Sequence, residues 1–192
     1  MPAKGEETKK KILEKAAELF VQKGYSAVTM KDLCEATGLS RGGLYRHFKS
    51  TGEMMAMLIN EEQEIADNEF KKAIAEGKSA LHMLDAFIIR HQHFLLSSTS
   101  ALEAAINQFA LLDENGRKIN EERVWSTVNR TAEVIRIGQQ EGLFIDGDPE
   151  IIAWHIVFFI GGIRTQTVLE NPGADFIKQQ IEYLRTFLLK NK

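Results

Sequence analysis

The stretch GLSRGGLYRHFKS, residues 38–50, places two adjacent glycines in a segment that otherwise favours a helix. Each glycine in a helix interior costs roughly 1 kcal/mol relative to alanine. Ser40 is a suitable N-cap for this helix. Arg41, Tyr45 and Lys49 give it a basic and aromatic surface. A short helix that tolerates two glycines indicates a surface that must approach another molecule closely.

A second short helix is predicted immediately before this stretch. Thr29 is placed to cap it, with Asp32 three residues later, and Gly38 can adopt the left-handed conformation of a tight turn. Two short helices joined in this way describe a helix-turn-helix, whose second helix can enter the DNA major groove. There Arg41 can bind O6 and N7 of a guanine, and Gly43 leaves the backbone free to approach the bases. A surface turn with incidental basic residues is the alternative.

Charge is distributed unevenly along the 192 residues, whose net charge is −3. Residues 1–50 contain ten Lys and Arg against six Asp and Glu, a balance of +4. Residues 51–192 contain fourteen against twenty-one, a balance of −7. A basic head before an acidic body is typical of a nucleic-acid-binding protein with a second module. Chance scatter of surface charge is the alternative.

The cellular compartment is indicated by cysteine usage and hydropathy. Cys34 is the only cysteine, which excludes an internal disulfide and suits a reducing compartment. No basic segment followed by an apolar run opens the sequence, so secretion is not expected. The most apolar stretch, residues 151–163, is interrupted by polar residues and glycines and falls short of the ~18 to 20 apolar residues of a membrane span. We therefore expect a cytoplasmic protein without a membrane partner.

Helical periodicity dominates the whole sequence. Its prolines, Pro2, Pro149 and Pro172, stand where helices can begin or end, and no alternation of apolar and polar residues is long enough to predict a strand. We predict an all-α fold of about nine helices. A three-helix DNA-binding domain is expected at residues 1–50 and a larger helical domain at residues 51–192.

Residues 8–55 resemble the DNA-binding domain of the tetracycline-repressor (TetR/AcrR) family of bacterial transcriptional regulators. The similar segments, in order, are TKKKIL from residue 8, AAELF from 16, GY from 24, TMKDL from 29 and GLSRGGLYRHF from 38. The resemblance implies that the helix beginning after Ser40 is the recognition helix. Arg41 and Gly43 would face bases, and Tyr45, His47 and Thr29 would contact phosphates. The full predicted DNA-binding set is Thr29, Lys31, Ser40, Arg41, Gly43, Tyr45, His47 and Lys49.

The sequence departs from the family pattern at two positions of this domain. Thr51 stands where the family often has a lysine, which puts one backbone-contacting charge in doubt, and Lys49 is a partial substitute. Cys34 replaces a usual alanine and is interpreted as a small core residue, not a redox sensor, because a sensor needs a lowered pKa and exposure.

The resemblance further implies a helical ligand-sensing domain that forms a homodimer through its last two long helices. The residues agree, because both helices carry more apolar surface than a single seam needs, and small residues allow close approach. A monomer core is the alternative for these faces. A two-fold dimer would match a palindromic operator in double-stranded DNA. The predicted dimer interface is Phe158, Phe159, Gly162, Ile177, Ile181, Leu184 and Leu188.

A small-molecule effector is expected in the helical body, in a pocket lined by aromatic residues with a few polar groups. An apolar or amphipathic effector would suit such a lining. Core positions without a ligand are the alternative for each of these residues, His91 in particular. The predicted ligand-binding set is Phe87, His91, Phe109, Trp125, Asn129 and Trp154.

These observations predict a ligand-responsive, sequence-specific DNA-binding transcriptional regulator, a repressor that its effector releases from DNA. An activator is a further possibility, because the head is the same in both. We expect no enzyme, cofactor or metal site, since the sequence has no nucleophile elbow, metalloprotease motif, P-loop or cluster with metal-ligand spacing. The alternative is a helical small-molecule-binding protein or enzyme with an incidental helix-turn-helix.

Overall fold

The computed structural model describes residues 4–96, 101–170 and 172–190. Within these ranges the chain forms nine α-helices and no strand, with one isolated β-bridge between Phe144 and Leu189, so the all-α prediction is confirmed. The helices are α1 (Lys4–Lys23), α2 (Met30–Thr37), α3 (Arg41–Tyr45), α4 (Thr51–Ala75), α5 (Ala80–Leu96), α6 (Ala101–Leu112), α7 (Glu114–Gln140), α8 (Pro149–Glu170) and α9 (Ala174–Leu188).

Contacts within the chain group these helices into two compact units. The first unit contains α1 to α3, α4 as far as Gln63, and α6 with α7 as far as Glu121. The second contains the remainder of α4 and α7 together with α5, α8 and α9. This grouping does not follow the predicted division at residue 50, because the start of α4 and the whole of α6 share a core with the three N-terminal helices. The division into domains at 1–50 and 51–192 therefore stays a prediction.

The core of the first unit fixes the two short helices of the head. Leu33 of α2, Leu44 of α3 and Phe48 after it are almost fully buried against α1. Leu44 and Phe48 provide apolar burial on the order of 1.5–3 kcal/mol each, which offsets the low helix propensity of the two glycines. The recognition helix is therefore held by packing from one side and not by its own helical stability.

Helix α6 is docked on the turn between α1 and α2. The ring of Phe109 lies 4.9 Å from the ring of Tyr25, measured between centroids. The Gln108 side-chain oxygen accepts from the Ser26 backbone N–H at 3.3 Å. A Cβ on Gly24, whose φ is +75°, would come within 2.8 Å of that same oxygen. The turn and α6 are thus matched to each other at contact distance.

The core of the second unit is built by α5, α8 and α9. Helix α9 places Ile177, Ile181, Leu184 and Leu188 in this core, and each is at least nine-tenths buried within one chain. An ion pair between Arg185 Nε and Asp85 Oδ1, at 2.7 Å, joins α9 to α5 at the edge of the core. These four residues are packed within one chain, and their assignment to the dimer interface stays a prediction.

Helix α8 contains the apolar stretch 151–163 and extends beyond it at both ends. By length and composition alone it could cross a membrane, so the expectation that this stretch falls short is wrong by that measure. One such helix is weak evidence for a span, since core helices of soluble proteins have the same composition. Only 33% of its apolar window is buried in the chain, which leaves an apolar face for another contact.

Candidate nucleic-acid interface

Side-chain caps set the start of each helix in the helix-turn-helix, and the cap of α2 is reciprocal. The Thr29 hydroxyl oxygen accepts from the Asp32 backbone N–H at 3.2 Å, and the Asp32 carboxylate accepts from the Thr29 N–H at 2.8 Å. Gly38, with φ +69°, ends α2 in the left-handed conformation. Ser40 then caps α3 by accepting from the Gly43 N–H at 3.2 Å. Such caps typically contribute about 1 kcal/mol each, and they hold two helices too short to be stable alone.

Neither glycine of the recognition helix has a described neighbour that would make a side chain impossible. A Cβ on Gly42 would meet no described atom of the chain within 4 Å. A Cβ on Gly43 would meet only its own cap, Ser40 Oγ, at 3.3 Å and the Leu39 Cβ at 3.8 Å. By helix propensity alone, alanine at either position would stabilise the helix by roughly 1 kcal/mol relative to glycine. The packing of the described chain therefore does not require glycine at position 42, and at position 43 it restricts a side chain only through Ser40 and Leu39.

The exposed face of α3 carries the predicted DNA-contacting side chains. Arg41, Tyr45 and Lys49 are exposed, while His47 is half-buried in the turn that follows Tyr45. The Arg41 guanidinium lies 5.5 Å from the centroid of the Tyr45 ring. This contact orients the arginine without neutralising it. Lys31, on α2, is exposed and lies 3.8 Å from Glu35.

The Asp32 carboxylate collects three donors. Besides the Thr29 N–H it accepts from the Thr29 hydroxyl and, at 2.7 Å, from the ammonium of Lys23 at the end of α1. The hydrogen bond from Lys23, followed by those from Thr29, holds the pKa of Asp32 well below its usual range. The predicted phosphate contact Thr29 is therefore engaged inside the chain.

Thr51, in place of the family lysine, faces inward. Burial raises the pKa of the Tyr25 hydroxyl, and a side-chain hydrogen bond with Thr51 lowers it by a smaller amount. A Cβ on the next residue, Gly52, would lie 3.1 Å from the Tyr25 hydroxyl and 3.4 Å from the ring of Phe109. The start of α4 thus contacts α6 and the α1–α2 turn where the family has a charge directed at DNA.

The predicted ligand-binding residues do not form one site. Phe87 and His91 lie together on α5, with ring centroids 4.2 Å apart. Phe109 belongs to the core of the first unit, beside Tyr25, and its place in an effector pocket stays a prediction. An aromatic residue at a buried helical position has the same pattern in a pocket wall and in a core, so the sequence does not distinguish the two.

Arg164 is a buried polar residue that the sequence analysis missed. It lies on α8, and its Nη2 is 2.9 Å from His91 Nδ1. Both side chains are more than nine-tenths buried, within an apolar core. A lone arginine within α8, directly after the apolar stretch 151–163, was the available signal, since such a residue is buried only where polar groups meet it.

Trp125, Trp154 and Phe158 form a cluster at the surface of the second unit. The ring centroids of Trp125 and Trp154 are 5.0 Å apart, and those of Trp154 and Phe158 are also 5.0 Å apart. Trp125 is 44% exposed and Phe158 is 66% exposed. Asn129, one turn after Trp125, is also exposed. Three predicted pocket residues thus lie at or near the surface beside a predicted interface residue.

Helices α8 and α9 each have an apolar face that is open to solvent in the single chain. On α8 it includes Phe158 and the exposed Gly162, where a Cβ would meet no described atom within 4 Å; Phe159 is half-buried against the core. On α9 it includes Tyr183, 72% exposed, and Phe187, 59% exposed. Tyr183 and Phe187 line a groove of about 490 Å³ together with Ile145, Asp146, Thr186, Leu189 and Lys190.

No group of three or more metal-ligating side chains occurs among the residues that the structure describes. Taken together, the capped pair of short helices, the exposed Gly42 beside the half-buried Gly43, and the exposed Arg41 define a helix-turn-helix DNA-binding protein.

Comparison with known proteins places this chain in a family. Residues 12–58 match the bacterial regulatory proteins of the tetR family. The HTH-type transcriptional regulator QacR of Staphylococcus aureus is 36% identical over 173 residues, which cover 86% of this chain and 77% of QacR. The chain therefore belongs to the tetR family of bacterial transcriptional regulators. Members of this family bind operator DNA as dimers and respond to small-molecule effectors.

Two further relatives bear on function and fold. The HTH-type transcriptional repressor KstR2 of Rhodococcus jostii is 28% identical over 91 residues, which cover 47% of this chain and only 45% of KstR2. A TetR-family regulator from Agrobacterium tumefaciens is 16% identical, with a TM-score of 0.83 over 97% of this chain and all of that one. The structural likeness extends the shared fold to the helical body, beyond the head that carries the sequence motifs.

Proposed function

We propose that this protein is a cytoplasmic repressor that reads a palindromic operator through α3 and is released by a small-molecule effector. The observation that carries this proposal is the state of α3. A Cβ on Gly42 would meet no described atom within 4 Å, a Cβ on Gly43 would meet only Ser40 and Leu39, and Arg41 is exposed beside them. The relatives are transcriptional regulators, and one of them is named a repressor. No enzymatic activity is proposed.

In the proposed complex, the residues of the head divide into base readers and phosphate contacts. Arg41 binds a guanine through O6 and N7, a pairing worth ~1–3 kcal/mol of discrimination against other bases. Gly43 allows the backbone to reach the bases. Tyr45, His47 and Lys49 contact phosphates, which fix the register of the helix without reading sequence.

The proposed dimer forms through the outward faces of α8 and α9. Its central residues are Phe158 and Gly162 of α8 and Tyr183 and Phe187 of α9, which are exposed in one chain. Aromatic side chains around a position without a side chain favour close helix–helix contact. A face of this kind, repeated by two-fold symmetry, presents two recognition helices to the two halves of a palindrome.

The proposed effector site lies in the second unit and contains fewer of the predicted residues than the sequence analysis gave. Phe87 and His91 remain in it, and Arg164 joins them as a polar group held 2.9 Å from His91. An apolar or amphipathic molecule with one polar end suits this set, since pockets combine apolar walls with few polar anchors. Its binding shifts the protein toward a form with lower operator affinity.

The decisive experiment is selection of bound duplexes from a random DNA library at near-physiological salt. We expect a palindromic motif for the wild-type protein. Arg41→Ala should relax the preference at one position of each half-site and weaken binding about 5- to 150-fold, because one bidentate contact is lost. Arg136→Ala, which removes the same charge from the exposed surface of α7, is the matched control and should change neither.

The result can also contradict the proposal. If no motif is enriched, or if enrichment does not depend on Arg41, the head does not read DNA sequence. The alternative of a helical small-molecule-binding protein or enzyme with an incidental helix-turn-helix would then be preferred.

A further inference from the structure

The start of α2 contains a carboxylate bound by donors that a DNA phosphate also attracts. Asp32 Oδ1 accepts from the Lys23 ammonium at 2.7 Å, and Oδ2 accepts from the Thr29 N–H at 2.8 Å and from the Thr29 hydroxyl. Lys23 and Thr29 belong to different elements, the end of α1 and the residue before α2. One carboxylate therefore brings an ammonium, a hydroxyl and a backbone N–H together.

The donors of Lys23 and Thr29 are already engaged in hydrogen bonds to Asp32. A threonine hydroxyl has one hydrogen, so while it donates to Asp32 it cannot donate to a phosphate. The Lys23 ammonium has three hydrogens, but the adjacent carboxylate cancels its charge. A lysine that is neutralised within the protein releases few counterions when DNA binds, because the charge seen by the phosphates is small.

We propose that Asp32 is a built-in competitor of an operator phosphate for Lys23 and Thr29, and that it sets the affinity and salt dependence of DNA binding without touching a base. The proposal rests on the proposed function, because it takes the start of α2 to face the DNA backbone. In the wild-type protein the carboxylate retains Lys23. When the carboxylate charge is removed, the ammonium becomes available to a phosphate.

The test is a double-mutant cycle on the full-length dimer with the selected operator, measured by fluorescence anisotropy over a series of salt concentrations. Asp32→Asn keeps an oxygen that can accept from the Thr29 N–H and removes the charge. We expect it to bind the operator at least about threefold more tightly, within the range of energies for groups in one network. The plot of log K against log salt concentration should become steeper by about one.

The dependence on Lys23 separates competition from simple repulsion. In the Lys23→Ala background, the gain from Asp32→Asn should fall to that of Glu14→Gln, the matched control, which removes an exposed carboxylate from α1 of the same unit. An equal gain with and without Lys23 would mean that Asp32 only repels DNA, and the proposal would be wrong.

Lys23→Ala alone is a second test that leaves the α2 cap intact. We expect nearly unchanged affinity and salt slope, whereas Lys49→Ala should flatten the slope. A large loss from Lys23→Ala in the wild-type background would show that Lys23 already contacts phosphate, which overturns the proposal. Failure of the proposed function looks different, because no operator would then be selected.

Discussion

At the scale of single residues, Gly43 shows how a position can be explained by something outside the protein. Its N–H donates to Ser40 Oγ at 3.2 Å, and the described chain leaves room for a side chain that would meet only Ser40 and Leu39. A larger residue would therefore project from the exposed face of α3. Gly43 lowers the helix propensity of α3 in the free protein, and in the proposed complex it allows the backbone to approach the bases.

Gly43→Leu should preserve the fold and abolish operator binding. We expect a melting temperature equal to or above that of the wild type, since leucine is a better helix former. Specific affinity should fall at least about tenfold, because the side chain holds the backbone away from the bases. Thermal denaturation by circular dichroism and operator titration measure the two effects. Gly5→Leu in α1, where a Cβ would meet no described atom within 4 Å, is the control. Unchanged operator affinity would refute close approach.

Residue identity allowed the head to be predicted because capping and turn residues act locally. Thr29, Asp32, Gly38 and Ser40 have the predicted capping and turn roles, and each depends on neighbours within a few positions in sequence. The inward orientation of Thr51 was not predictable in this way. It depends on Tyr25 and on α6, which are distant along the chain.

At the scale of helices, the pattern of α9 indicates that a face is buried but not what buries it. Ile177, Ile181, Leu184 and Leu188 recur at spacings of four, three and four, as on any helix packed along one side. Whether that side meets the same chain or a second copy depends on long-range packing with α5, which periodicity does not contain. The helices were therefore predicted correctly, whereas periodicity alone could not assign these four residues to the core of one chain or to an interface.

The two faces of these helices should respond differently to mutation. Gly162→Leu and Phe187→Ser, on the outward face, should weaken dimerisation at least about tenfold with little loss of helicity. Leucine at position 162 obstructs close helix contact, and serine at position 187 removes an aromatic side chain of the kind that forms interface hot spots. Ile181→Ala, on the inward face, should lower the free energy of unfolding by about 2–5 kcal/mol. Sedimentation velocity and chemical denaturation distinguish the outcomes. If Gly162→Leu dimerises like the wild type, the interface lies elsewhere.

At the scale of the whole molecule, the proposed activity belongs to the dimer and not to one head. A two-fold pair of recognition helices reaches two half-sites whose centres are separated by about one turn of DNA, ~34 Å. Each head alone has few contacts with bases, since α3 contains five residues. Tight and specific binding therefore requires both half-sites in one register.

Inserting five base pairs between the half-sites of the selected operator should remove specific binding. The insertion rotates one half-site by about half a turn, to the opposite face of the duplex. We expect affinity to fall to that of a duplex with a single half-site, measured by anisotropy at constant salt. A duplex with the same five base pairs added outside the half-sites is the control. Equal affinity for both duplexes would indicate heads that bind independently.

The surface cluster of α7 and α8 has an optical consequence. Trp125 and Trp154 are the only tryptophans in the chain, and their rings are 5.0 Å apart. Ultraviolet-excited emission from the intact protein therefore originates almost entirely at one spot of the second unit, next to Phe158. A change in emission wavelength reports events at that spot and is blind to the recognition helix. The protein thus contains an intrinsic reporter that monitors its helical body without labelling.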